Sequence, residues 1–233
     1  METEPRSGHA QFAGHRIAYH VAGDGPAVVL VKNDRYSKIS PELRLLSDRY
    51  TIIQISPLGF GRSDRPHDYP PGGIHEQVLA VLDHEDVDRF AVWGYSQCGA
   101  MAAVVAQGTT RAAAMVAGGF SLLNGGPTDA WMARMDREQR VPTAPRAFWH
   151  WFKRFDWADE LAAMACPTLM YVGSEDPTSA LIWRTNEASS DRGVTIIEFE
   201  GLDHRGCEAE PALSTQVVPG VVDWLATSIG PSW

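Results

Sequence analysis

Cysteine is scarce in this sequence: Cys98, Cys166 and Cys207 are odd in number and far apart. They include no C-x-x-C pair that would suggest a metal or redox site and cannot build a disulfide framework, so a reducing, cytoplasmic setting is expected. The basic residues form no Lys/Arg run and the formal net charge is -9. Without a basic patch there is no electrostatic footprint for nucleic acid, and a polyanionic substrate is disfavoured. No stretch approaches the roughly 18 apolar residues that span a bilayer. Met1-Glu2-Thr3-Glu4-Pro5 carries neither the basic n-region nor the apolar h-region of a secretory signal. Neither membrane insertion nor secretion is expected, and internal repeats and low-complexity segments are absent.

What remains is an ordinary globular composition, 44% hydrophobic over 233 residues, enough for one sizeable core. A single domain over 1–233 is expected. Residues 10–31 read as strand, turn, strand, turn, strand, broken at Gly14 and at Gly23-Asp24-Gly25-Pro26. The pattern then alternates: a helix over 41–48, a strand over 51–55, a Gly/Pro-rich loop over 57–73, a helix over 74–82, a strand over 90–93, a helix to about 107 and a strand over 113–117. Strands over 168–172 and 194–199, followed by helices near 179–189 and 212–227, complete it. Repeated β-α-β units predict an α/β fold with a mainly parallel central sheet and helices on both faces.

Gly94-x-Ser96-x-Cys98-Gly99 stands between a predicted strand and a predicted helix. A serine hydroxyl becomes a useful nucleophile when it is lifted clear of the sheet beside a base and near preorganised N–H donors. A sharp strand-to-helix turn does this, and small residues two before and two after the serine let the backbone make the turn. Two later loops leave the carboxyl ends of predicted strands, Gly173-Ser174-Glu175-Asp176-Pro177 and Gly201-Leu202-Asp203-His204. In an open α/β sheet such loops converge on the ligand site, which suits the order nucleophile, carboxylate, histidine. Asp176 is the favoured carboxylate, with Glu175 as the alternative, and Asp203 is read as structural. His9, His15, His20, His67, His75, His84 and His150 fall outside the expected loop, and Cys207 is read as a buried, inert thiol.

These motifs in this order resemble the α/β-hydrolase superfamily over nearly the whole chain. Gly59-Phe60-Gly61-Arg62-Ser63-Asp64-Arg65-Pro66 is similar to the family's G-x-G-x-S loop after the fourth strand, and the Ser96 elbow, the G-x-x-D of 173–176 and the G-x-x-H of 201–204 add to it. The resemblance implies a catalytic triad of Ser96, Asp176 and His204, no cofactor or metal, and a lid after the sixth strand. Cys98 departs from the usual glycine at the end of the elbow. A second departure follows Val31, where the family carries His-Gly and this chain has Lys32-Asn33-Asp34. Asn33 then stands where positive φ is expected, a conformation asparagine tolerates better than most. Asp34 and Gln97 would supply the oxyanion N–H groups, with the Asp34 side chain turned away towards Lys32 or Arg35.

The insert over about 122–165 breaks the alternation and is rich in aromatics, among them Trp131, Trp149, Trp151 and Trp157. Two readings stand side by side: a small helical lid whose tryptophans line a substrate pocket, and an amphipathic helix whose aromatic stripe is core. The resulting expectation is a serine hydrolase that cleaves a small, largely uncharged carboxylic ester or lactone through an acyl-serine intermediate. Its partner is a small-molecule substrate, with neither nucleic acid nor membrane, and the oligomeric state is left open. The serine argues against epoxide hydrolysis and dehalogenation, which resembling enzymes perform with aspartate at that position. Amide or carbon–carbon bond hydrolysis and acyl transfer use the same triad. A non-hydrolytic ligand-binding protein or rearrangement catalyst is the alternative from another class, motivated by the missing His-Gly and by Cys98.

Overall fold

A computed structural model describes residues 4–33, 38–68, 73–121, 133, 165–183 and 194–230. Its frame is an eight-stranded sheet: β1 (Arg6–Phe12), β2 (His15–Ala22), β3 (Ala27–Val31), β4 (Thr51–Ser56), β5 (Phe90–Tyr95), β6 (Ala112–Gly118), β7 (Thr168–Gly173) and β8 (Val194–Phe199). The strands lie in the order β1-β2-β4-β3-β5-β6-β7-β8. β1 and β2 form an antiparallel hairpin, β2 pairs antiparallel with β4, and all the remaining pairs are parallel. The hairpin turns through Ala13 and Gly14, both at positive φ, as a two-residue turn matched to strand twist requires.

The parallel strands are apolar on both sides because both faces are covered. In β3, Val29 and Val31 join a core cluster with α2 (Ile74–His84) and α3 (Gln97–Gln107). Val28 and Leu30 point the other way, into a cluster with α1 (Pro41–Leu46) and α4 (Val218–Ile229). Helix α3 is buried all round, from Cys98 to Ala106. It can lie close to the sheet because its residues are small: a Cβ at Gly99 would stand 3.0 Å from Cβ of Phe120 and 3.5 Å from that of Ala117.

Most predicted elements are present with shifted ends. The hairpin begins at Arg6, earlier than the apolar pattern signalled, because β1 is an edge strand whose Arg6 and Ser7 face solvent. The helix expected from 212 starts as a π-type segment, Leu213–Val217, before α4 proper. Of the helix expected near 179–189, residues 179–183 are described and helical. The insert over 122–165, with Trp131, Trp149, Trp151 and Trp157, lies almost wholly outside the described residues.

Two features of the sheet position a site. The first is topological: β3 lies between β4 and β5, so the chain leaves β3 to one side and returns on the other. A crevice opens at such a reversal, between the carboxyl ends of β3 and β5. The second is the loop after β4. Gly59 (φ 89°) and Gly61 (φ 49°) allow a tight turn closed by Gly59 N–H to Asp64 O at 2.9 Å, with Phe60 fully buried beneath it. The buried Ser63 hydroxyl donates to Ser56 O (2.5 Å) and accepts from Ala18 N–H (2.7 Å), stitching the loop to β2 and β4. Asp64 accepts from Arg16 N–H at 2.8 Å and from its guanidinium at 3.0 Å, which together hold its carboxyl below the usual range. The glycine-rich signature therefore has a structural role here. Ser63→Ala strands the buried Ala18 N–H, and we expect it to lower stability by about 1–3 kcal/mol, seen as an earlier urea midpoint with an unchanged slope.

Candidate active site

Ser96 is the first residue after β5 and caps α3 with φ 53° and ψ −124°. A non-glycine residue reaches this conformation only when its surroundings hold it there. They do so from both sides. A Cβ at position 94 would collide with the carbonyl of Cys98, so only glycine fits beneath the turn. Ser96 N–H is tied to Gly118 O of β6 at 2.7 Å, and its own carbonyl accepts from Gly99 N–H at 2.9 Å. Gln97 and Cys98 open α3, where backbone N–H groups have no partner within the helix and the dipole favours negative charge. Cys98 is buried and fits the place where glycine is usual.

The loops after β7 and β8 are zipped together. Ser174 N–H donates to Phe199 O (3.0 Å), Glu175 N–H to Leu202 O (3.0 Å), and Gly201 N–H to the Ser174 hydroxyl (2.8 Å). Leu202 passes so close to Gly173 that a Cβ there would overlap its carbonyl. This brings Asp176 against His204: His204 Nδ1 lies 2.7 Å from Asp176 Oδ2, and Nε2 lies 3.0 Å from Ser96 Oγ. Oδ1 of Asp176 is occupied by the Thr178 N–H and hydroxyl, both at 2.8 Å. The side chain of Asp176 is wholly buried, that of His204 is 37% exposed, and Ser96 is partly exposed. Glu175, the alternative carboxylate, faces solvent. Asp203 turns back on its own loop and accepts from the N–H groups of Arg205 and Gly206 at 3.1 and 2.7 Å. Cys207 is fully buried, and burial pushes its thiol up to about 11.

The loop after β3 differs from expectation. The described non-glycine residues at positive φ are Ala13, Asp86 and Ser96, so Asn33 does not adopt the left-handed turn foreseen for it. The chain instead stays tied to the sheet past the strand's end, Lys32 N–H bonding Ile55 O at 2.9 Å, and the Asn33 amide reaches across the crevice to Gln97 Oε1 at 3.4 Å. Asp34 and Arg35 lie outside the described residues. Lys32 Nζ pairs with Glu42 Oε1 of α1 at 2.6 Å, with both side chains mostly buried. Burial drives the Glu42 carboxyl up, but attraction and a hydrogen bond from the Lys32 ammonium outweigh it and leave its pKa lowered. Burial likewise lowers Lys32, Glu42 raises it, and the balance is raised.

The sequence reading missed three partners at this end of the sheet. Tyr95 donates its hydroxyl to His204 O at 2.5 Å. Gly119 (φ 59°) leaves room for both, and Glu42 holds Lys32. The Gly118-Gly119 pair after the apolar run was the available signal, since glycine at a strand end marks close approach of another group. A helix glutamate and a loop lysine ten residues apart carry no comparable signal.

Comparisons with known proteins agree with this architecture. The profile of a family described as alpha/beta hydrolase fold matches residues 33–120. Among solved structures, an enol-lactonase from Burkholderia xenovorans is similar at TM-score 0.69 and 17% identity, covering 94% of this chain and all of that one. An E-2-(acetamidomethylene)succinate hydrolase is similar at TM-score 0.71 and 15% identity, over 94% of this chain and 100% of its own. An epoxide hydrolase A from Mycobacterium thermoresistibile follows at TM-score 0.68 and 16% identity, over 95% and 98%. At such identities these likenesses show the fold. An uncharacterized protein of Mycobacterium tuberculosis is 32% identical over 92 residues, 38% of this chain and 27% of that protein. The chain is thus matched over about a quarter of that relative's length. The fold is the α/β-hydrolase fold. No helix of the described residues is long and apolar enough to cross a membrane.

The buried pair yields a test. Glu42 has a folded-state pKa below its unfolded value, so its contribution is full above the unfolded pKa and is lost as pH falls through the folded one. Lys32 is raised, so its contribution is full below the unfolded amine value and is lost as pH rises through the folded one. Lys32→Met leaves a buried carboxylate alone and should cost about 3–5 kcal/mol near neutral pH. In urea titrations the gap to wild type should narrow as acid protonates Glu42. Adding Glu42→Leu should recover most of the loss, and no recovery would mean the pair is not the source.

Proposed function

We propose that this protein is a serine hydrolase that cleaves a small, largely uncharged carboxylic ester or lactone. The observation that carries the reading is the continuous hydrogen-bonded path from Asp176 through His204 to Ser96, at 2.7 and 3.0 Å. Asp176 accepts Nδ1–H and so fixes the tautomer that leaves the Nε2 lone pair facing the serine hydroxyl. Ser96 Oγ attacks the carbonyl carbon while Nε2 takes the hydroxyl proton, and the carbonyl π electrons move onto oxygen. The N–H of Gln97, at the start of α3, stabilises that oxyanion, and Asp34 N–H is the proposed second donor. The tetrahedral adduct collapses and the alkoxide leaves with the proton held on Nε2. Water then repeats the sequence on the acyl-serine, returning Ser96 and releasing the acid. Every step is assigned to side chains and backbone groups of the chain itself.

The net charge of -9 supports an uncharged substrate in preference to a polyanion. Serine at the elbow supports acyl chemistry over the aspartate-dependent opening of epoxides, even though an epoxide hydrolase shares the fold. An enol-lactonase among the similar structures is consistent with a lactone but does not select one.

A fluorophosphonate probe should modify wild-type protein at Ser96 and leave Ser96→Ala unlabelled, as peptide mapping by mass spectrometry would read. On a panel of acyl p-nitrophenyl esters and lactones, Ser96→Ala and His204→Ala should each abolish nearly all turnover. The double variant should be little worse than either, because the residues act as a unit. Losses that multiply would sink the triad assignment. Asp176→Asn should lower kcat by orders of magnitude in folded protein by favouring the wrong histidine tautomer, about 10⁴-fold in the best-studied case, whereas Glu175→Gln should leave kcat near wild type.

A further inference from the structure

His204 has two anchors on its imidazole and one on its backbone, and the backbone anchor is Tyr95. The phenol hydroxyl donates to the carbonyl of His204 at 2.5 Å, and the two ring centroids stand 5.2 Å apart. Tyr95 is the last residue of β5, and the next residue is Ser96. One strand end therefore sets the position of the serine through the chain and of the histidine through a side chain. Because imidazole and hydroxyl must stay within hydrogen-bond reach, an error of a fraction of an ångström in the histidine loop matters.

Tyr95 is itself immobilised. It is 5% exposed, and its ring stacks on Tyr171 at 5.7 Å and 30°. The Tyr171 hydroxyl accepts from Trp93 Nε1 at 3.1 Å, and its ring meets Phe199 edge-on at 5.9 Å. The contacts run from the middle of β5 across β7 to the end of β8, the strand from which the histidine loop departs. A Cβ at Gly119 would stand 2.7 Å from Tyr95 Cζ, 2.8 Å from its hydroxyl and 3.0 Å from His204 Cε1, so the space beside both rings is kept clear. Burial also raises the phenol's pKa far above its ordinary value, so it remains a donor across the working pH range.

We propose that Tyr95 is a positioning residue which, by holding the backbone of His204, keeps the imidazole in register with Ser96. The inference rests on the hydrolase reading above. Tyr95→Phe keeps the ring and its stacking and removes the hydroxyl, which bonds the His204 carbonyl and also the Cys207 thiol. It should lower kcat about tenfold with KM nearly unchanged, the effect of one lost hydrogen bond felt at the transition state. In a His204→Ala background the same change should have no effect on the residual rate, since Tyr95 acts through the histidine. A persistent tenfold effect there would overturn the proposal by showing that the phenol touches substrate or oxyanion directly. The downfield proton resonance of His204 Nδ1–H should broaden or shift in Tyr95→Phe, and an unchanged resonance with unchanged kcat would also overturn it. Fluorophosphonate labelling separates the two levels. Failure to label wild type would remove the hydrolase reading and this inference together. Labelling of Tyr95→Phe at the wild-type rate would remove this inference alone.

Discussion

Ser96 sits at φ 53° and ψ −124°, a backbone state that costs of order 1–3 kcal/mol for a residue with a Cβ. The strain persists because strand, helix and neighbouring strand leave no alternative. Gly94 lets the first turn of α3 fold back on β5, Ser96 N–H is held by β6, and the small residues of α3 allow the helix to lie close to the sheet. Packing thus supports the strained turn, and the turn in turn presents both the hydroxyl and the first N–H groups of the helix to the crevice between β3 and β5.

The carboxylate and histidine come from strands that enter the sheet much later in the chain, and two kinds of contact bring them to the same place. Backbone hydrogen bonds lock the loops after β7 and β8 to each other, which fixes Asp176 relative to His204. The aromatic stack through Tyr171 and Tyr95 then fixes that pair relative to the serine. The division follows from distance: neighbouring parallel strands can exchange main-chain bonds between their loops, whereas β5 and β8 are separated by β6 and β7, so only long side chains span the gap.

The described start of the loop after β3, Lys32 and Asn33, departs from the pattern of the resembling family. Where the resembling family places His-Gly, this chain buries a lysine and pairs it with a glutamate of α1. A charge taken out of water is costly unless paired at close range, and the pair ties the loop to the helix that covers it. The Asn33 amide, reaching towards Gln97, links that loop to the elbow across the topological reversal. The asparagine side chain serves as a bridge, a use that its tolerance of positive φ does not reveal.

The alternation of strands and helices is legible in the residue pattern, because both-face burial demands continuous apolar runs in strands such as 27–31 and 90–93 and helical spacing over 74–82. The order of the motifs likewise marked which loops converge, since each follows a strand and the carboxyl ends of parallel strands lie on one side of a sheet. Tertiary structure decided between the adjacent acids: Glu175 faces solvent and Asp176 faces His204, and one residue of rotation along an extended loop is invisible in a pattern of letters. It alone decided that Ser63 of the glycine-rich loop is a structural clasp, that Lys32 finds Glu42, and that Tyr95 reaches the backbone of His204. Each of these contacts joins residues whose pairing no local periodicity encodes, and only the packed sheet, with its fixed strand order and twist, sets the distance between them.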